Sequence, residues 1–253
     1  MPALLIISIA AQFACGLHAV RTNRVSPWLY IIVFVPAIGC AIYVVTQMLP
    51  DLLHSRAGRQ VAKDITKVVD PQRDLRRRMR NLSVADTIEN KRRLAEECLS
   101  LEMYDEAAEL YEKALTGHYV TDPTLMMGRA RALFGQGRYD SVVEVLDDLR
   151  AANPDYASAD GHLLYARALE EAGHHDLAKM EYAYLVEYFP GEEARARYAR
   201  LLDRTGDSVK SREMYQKVVD FVSTAPKHYY RAQRDWYDMA RQRLREMDLP
   251  PGA

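Results

Sequence analysis

Apolar positions follow two rhythms along this chain. From Met1 to Leu49 they run almost unbroken, and from Ile88 to Pro226 they come at helical spacing in blocks that repeat. The repeat is clearest at its turns. Glu102-Met103-Tyr104-Asp105-Glu106-Ala107, Gly137-Arg138-Tyr139-Asp140-Ser141-Val142, Gly173-His174-His175-Asp176-Leu177-Ala178 and Gly206-Asp207-Ser208-Val209-Lys210-Ser211 hold the same place in successive blocks. Tyr104, Tyr139, His175 and Ser208 lie 35, 36 and 33 residues apart, a period that marks stacked supersecondary units. Each block reads as helix, short turn, helix.

Small residues explain how such units stack. Ala95, Ala130, Ala166 and Ala199 stand seven residues before the turn position, and Ala107, Val142, Ala178 and Ser211 five after it. Small side chains at a helix crossing let two antiparallel helices approach closely. Tyr111, Leu146, Tyr182 and Tyr215, one helical turn further on, supply bulk between blocks, and Pro154 and Pro190 close two of them, where a helix must stop. These residues at these offsets resemble the tetratricopeptide repeat. Three positions depart from that pattern: Glu102 stands for the turn glycine, Ser211 for the alanine and Ser223 for the closing proline. The resemblance implies an all-α solenoid of about four helix pairs over 88–226, whose first helices line a groove that receives protein partners.

The first rhythm predicts membrane helices. Met1 to Val20 is apolar apart from Gln12 and His18, Arg21-Thr22-Asn23-Arg24 follows, and a second apolar run extends from Pro27 to Leu49. At 1.5 Å per residue each run can cross a hydrocarbon core of about 30 Å. A cleaved signal peptide is excluded by the absence of charge before Arg21 and by the second run. Trp28, Pro36, Gly39 and Tyr43, preceded by Arg21 and Arg24, resemble the N-terminal membrane hairpin of bacterial cardiolipin synthases and related phospholipase D-type proteins. Their His-x-Lys-x4-Asp signature is absent, so the resemblance implies an anchor at residues 1–50 and no lipid synthesis. Arg56, Arg59, Lys63 and Lys67 outweigh the two arginines of the loop, which places the C-terminal bulk in the cytoplasm, at a bacterial inner membrane.

Residues 51–87 read as a basic juxtamembrane linker, rich in Arg73, Arg76, Arg77, Arg78 and Arg80 and without a clean apolar face. It serves as a topology signal and solvated linker or touches anionic headgroups. Pro71 is expected to break it, and Ser83-Val84-Ala85-Asp86 has the Ser-x-x-acid form that starts a helix. After Thr224-Ala225-Pro226-Lys227, the segment 227–247 reads as a capping helix. Trp236, Met239 and Ala240 seal the last block there, and Arg231, Arg234, Arg241, Arg243 and Arg245 stay wet. The tail 248–253 is expected to be disordered.

Composition narrows the function classes. A net charge of −1 gives no global pull toward nucleic acid. Cys15, Cys40 and Cys98 form no CxxC pair, so neither a disulfide framework nor a zinc site is expected. No phosphate loop, His-Glu-x-x-His or Gly-x-Ser-x-Gly is present, and His174-His175-Asp176 lies in a turn where adjacent side chains diverge. Carboxylates are expected on outer helix faces, in solvent. The reading is of a binding module with no cofactor and no catalytic residue.

One feature points to a site. The residue after the small alanine of each first helix is Glu96, Arg131, Arg167 and Arg200, and Arg241 follows Ala240. In the repeat family this position commonly faces the groove. Arg131, Arg167, Arg200 and Arg241 are therefore candidate partner-binding residues, suited to an acidic segment or a terminal carboxylate. The alternative is that each pairs with a neighbouring carboxylate such as Asp160 or Glu193. Two functions follow: a membrane-anchored scaffold that recruits a protein, or an accessory subunit of a membrane lipid-metabolic enzyme recognised through the hairpin.

Overall fold

The computed structural model describes residues 72–248, together with Phe13, Leu17, Arg21, Ile42 and a π-helical turn at Val44–Met48. The chain divides into two compact units, Met1–Asp74 and Leu75–Ala253, and the features below belong to the second. Apart from those few positions, the apolar runs expected to form the membrane hairpin lie outside the described residues, as do Pro71 with most of the linker and the tail from 249. Among the described residues no helix is long and apolar enough to cross a membrane.

Ten α-helices and no strand make up the described chain: α1 (Arg73–Val84), α2 (Ile88–Ser100), α3 (Tyr104–Ala114), α4 (Pro123–Gly135), α5 (Tyr139–Ala152), α6 (Ala159–Glu171), α7 (His175–Tyr188), α8 (Glu193–Arg204), α9 (Ser208–Thr224) and α10 (Lys227–Asp248). Helices α2/α3, α4/α5, α6/α7 and α8/α9 are the four pairs. From α2 onward each helix packs on its neighbours in sequence, and α2–α4, α4–α6 and α8–α10 also touch. The core is accordingly a chain of overlapping clusters rather than one centre, as stacking of units requires.

The eight small residues at the crossings are all fully buried, from Ala95 and Ala107 to Ala199 and Ser211. Ser211 tolerates this because its hydroxyl donates to the Ala199 carbonyl at 2.8 Å, which removes the cost of an unpaired buried donor. Tyr111, Leu146, Tyr182 and Tyr215 are buried behind them. Tyr111 reaches the next block, where a Cβ placed on Gly128 would lie 2.2 Å from its ring. Glycine there is a packing requirement.

All four turns share one hydrogen-bond pattern. In the first, Met103 N–H donates to Cys98 O at 2.9 Å and Glu102 N–H to Leu99 O at 3.2 Å. The second, third and fourth repeat this with Arg138/Leu133, His174/Leu169 and Asp207/Leu202. Such an ending needs a left-handed residue. Gly137, Gly173 and Gly206 have φ of 74°, 86° and 88°, and Glu102 is driven to 59°, a conformation that costs a side-chain-bearing residue about 1–2 kcal/mol.

Two expectations change at the N-terminal end. Ser83 does not begin a helix. Its hydroxyl donates to Arg80 O at 2.8 Å within the last turn of α1, and Thr87 caps α2 instead, accepting from Asn90 N–H at 3.2 Å. Helix α1 has an apolar face after all, with Leu75 buried and Leu82 beside it against Leu94, Cys98 and Ala107. An ion pair of 2.8 Å from Arg78 to Glu97 fastens the same face to α2. Cys98 is buried there, and burial raises its thiol to about 11.

Candidate partner-binding groove

The candidate arginines of the repeats follow from one local rule. Each stands six residues before its turn position on a first helix: Arg131 on α4, Arg167 on α6 and Arg200 on α8. Opposite Arg167 and Arg200 is the residue three before the turn of the preceding block, Phe134 and Glu170 respectively. What stands there decides what each arginine can still do.

Arg200 meets a carboxylate. Its Nη2 donates to Glu170 Oε1 at 3.1 Å, Arg204 Nη1 donates to the same oxygen at 3.2 Å, and Tyr182 donates its hydroxyl to Oε2 at 2.8 Å. Glu170 and Glu192 are both buried, which corrects the expectation that carboxylates lie outside in solvent. A buried carboxylate persists where its lone pairs are filled by charge-assisted donors, and Glu170 accepts from all three of these side chains. Burial, then the Glu170 charge, pushes the Tyr182 hydroxyl well above the usual tyrosine range. Arg200 pairs internally, with Glu170 rather than with Asp160 or Glu193.

Arg167 meets an aromatic ring. Its guanidinium carbon lies 4.5 Å from the Phe134 centroid, within cation–π range. The side chain is half-buried and makes no ion pair among the described residues. Burial first, and the neighbouring Arg197 second, hold its charged form below its ordinary stability, partly offset by Glu193. Glu193 itself is committed to Arg197 at 2.7 Å, and Arg197 also stacks on Trp236 at 5.2 Å. Arg167 is thus a desolvated cation still lacking a carboxylate, a state that a bound anion relieves.

Arg131 stands beside it. A cavity of about 340 Å³ is lined by residues of first helices alone: Arg131 and Phe134 of α4, Asp160, Leu163, Leu164 and Arg167 of α6, and Glu193 of α8. Arg131 also lines a second cavity of about 430 Å³ with Leu99, Tyr111 and Tyr156, so the two hollows meet at this arginine. It is exposed and has no ion pair among the described residues. Glu96, its counterpart one block earlier, is taken by Arg92. Arg241 is exposed on α10 and lines neither hollow. The structure therefore brings together Arg131 and Arg167, with Asp160 and Glu193 lining the same cavity, and sets Arg200 and Arg241 apart.

The arginine pattern alone does not single out Phe134. Its signal is its offset, because the position three before each turn reads Leu99, Phe134, Glu170 and Asp203, which sorts the facing arginines in advance. His174-His175-Asp176 is dispersed: His174 faces Asp140 at 3.2 Å and Asp176 faces Lys179 at 3.5 Å. No trio of His, Cys, Asp or Glu among the described residues is placed to hold a metal ion.

Residues 99–168 match the tetratricopeptide repeat family. The solenoid has the tetratricopeptide repeat fold. A thermophilic tetratricopeptide repeat protein of Thermus thermophilus is similar over 66% of this chain and 88% of its own, at 22% identity and a TM-score of 0.51. MamA from residue 41 onward of Desulfovibrio magneticus RS-1 is similar over 64% of this chain and 91% of its own, at 17% identity and a TM-score of 0.55. Identities this low speak to fold alone. No curated protein matches the chain. Tetratricopeptide repeats are in general scaffolds for protein–protein interaction, and the family match makes that the general reading here.

Proposed function

We propose that this protein is a membrane-anchored tetratricopeptide scaffold that recruits a protein partner by gripping an acidic segment or terminal carboxylate between Arg131 and Arg167. The observation that carries this is the state of Arg167. It is half-buried over Phe134, short of a carboxylate, and in one cavity with a second arginine. Guanidinium pairs favour planar anions that accept two hydrogen bonds, and Arg197 already neutralises Glu193 at 2.7 Å, which leaves Asp160 as the one carboxylate of the lining that opposes an acidic ligand. The apolar runs of 1–49 supply the anchor at a bacterial inner membrane, with the repeats on the cytoplasmic side.

The test is a pull-down from native membranes with the full chain. Charge reversal at Arg131 and Arg167 together removes partner recovery. Phe134→Glu gives the same loss with both arginines intact, because it hands Arg167 the internal carboxylate that Arg200 already has. Unchanged recovery in both variants overturns the groove reading. A reporter fused to the C-terminus checks orientation, and an external signal contradicts it.

A further inference from the structure

Helix α1 carries charge in a different arrangement from the groove. Arg76, Arg77 and Arg80 are exposed on the side away from buried Leu75. At 3.6 residues per turn these three positions fall within about 100° of one another around the axis, so three guanidiniums crowd about 6 Å of helix axis. Beside them α1 and α2 enclose a cavity of about 340 Å³ lined by Arg77, Arg78, Asn81, Asn90 and Arg93. Every charged side chain on its wall is a guanidinium. Arg78 and Arg93 are held by Glu97 at 2.8 Å and Glu89 at 2.6 Å, each carboxylate engaging Nε. Asn90 donates to Ala85 O at 2.8 Å and to Asn81 O at 3.3 Å, which fixes the loop that shapes the cavity. The two arginines held through Nε and the stapled loop make the cavity a built hollow rather than a chance cluster of long side chains.

The rest of the chain says which anion this surface meets. Net charge is −1 over the whole chain, although residues 51–93 hold 12 Lys and Arg against 6 Asp and Glu, so the basic excess is local and no long-range field draws in a polynucleotide. Upstream, Arg56, Arg59, Lys63, Lys67 and Arg73, against Asp51, Asp64 and Asp70, extend the basic excess back toward the apolar runs. A basic segment following a membrane stretch is attracted to an anionic leaflet. We propose that α1 and the cavity it shares with α2 form a docking site for an anionic phospholipid surface, with Arg76 and Arg80 on headgroups and Arg77, Arg78 and Arg93 around one phosphate. The proposal rests on the anchor reading for the nearness of a bilayer, and on these residues for its chemistry.

The full chain is reconstituted in nanodiscs of neutral phosphatidylcholine, with or without admixed phosphatidylglycerol, and amide exchange is followed in the peptide spanning α1. Exchange slows in anionic discs only and recovers at high salt, since exposed charges are screened. The slowing falls about fivefold for each of Arg76, Arg80 and Arg93 replaced by glutamine, while the melting temperature holds. Equal exchange in both discs overturns the proposal. So does slowing in neutral discs by inorganic phosphate, which marks a free-phosphate site, or by an RNA oligonucleotide alone. Loss of the chain from both discs on alkaline washing means instead that the anchor reading has failed. The lipid site is then read by flotation of the same chain, which supports it if anionic but not neutral vesicles carry the chain and overturns it otherwise.

Discussion

Replacing Glu170 by alanine removes the carboxylate through which the third and fourth repeats share charge. Its side chain is 1% exposed, whereas those of Arg200 and Arg204 are 32% and 52% exposed. Water can take over much of what the arginines lose, so their share is that of surface pairs, about 0.5 kcal/mol each. Tyr182 is fully buried, and a hydroxyl stranded there costs about 1–3 kcal/mol. The emptied space adds about 1 kcal/mol. The total comes to about 3–5 kcal/mol. Glu170→Gln keeps the volume and an acceptor for Tyr182 and gives up only charge, a loss of about 1 kcal/mol. Urea denaturation of the full chain and both variants measures the difference, and hydrogen exchange places the weakening in α6–α9. An alanine variant no worse than the glutamine variant would falsify the assignment of most of the cost to the stranded Tyr182 hydroxyl and the emptied space together.

Three further outcomes follow from the packing. Glu102→Gly relieves a left-handed residue whose side chain is exposed. Set against the added freedom of the unfolded chain, the net gain is about 0.5–1 kcal/mol, read as a rise in melting temperature; a fall contradicts strain at this turn. Gly128→Ala drives a methyl into the Tyr111 ring and loses about 1–3 kcal/mol, and pairing it with Tyr111→Leu restores part of the loss. Burial first of all raises the Tyr111 and Tyr215 hydroxyls to about 12, while the unfolded chain ionises near 10. Between those values the unfolded state has shed protons that the folded state keeps. Stability therefore falls as pH rises through this window, by about 1 kcal/mol per tyrosine for each pH unit, and tyrosinate absorbance appears together with unfolding rather than before it.

The four helix pairs were legible because each block repeats the same small, bulky and turn positions, so a weak signal is read four times. Glu102 shows why the pattern tolerates a gap: the hydrogen bonds of the turn hold even a glutamate left-handed. Helix α1 escaped because Leu75 and Leu82 are too few, among five arginines, to announce a face. Ser83 misled because a serine followed three residues later by aspartate reads the same whether it opens a helix or closes one. Among the arginines, identity and offset were readable but fate was not. Glu170 reads as one more solvated carboxylate beside Glu171, and the arginines that bury it lie about a repeat further along. Contacts across blocks emerge only once the stacking register is known, and that register then makes Phe134 and Glu170 the deciding residues.

The most direct test of the groove is a photo-crosslinking amino acid at position 160, on the wall of the cavity that Arg131 and Arg167 share, incorporated into the full chain in native membranes. The account predicts a crosslinked partner peptide that is acidic or carries a free C-terminus, and its disappearance when Arg131 and Arg167 are reversed. Crosslinks to neutral or basic segments, or crosslinks indifferent to that reversal, would contradict it.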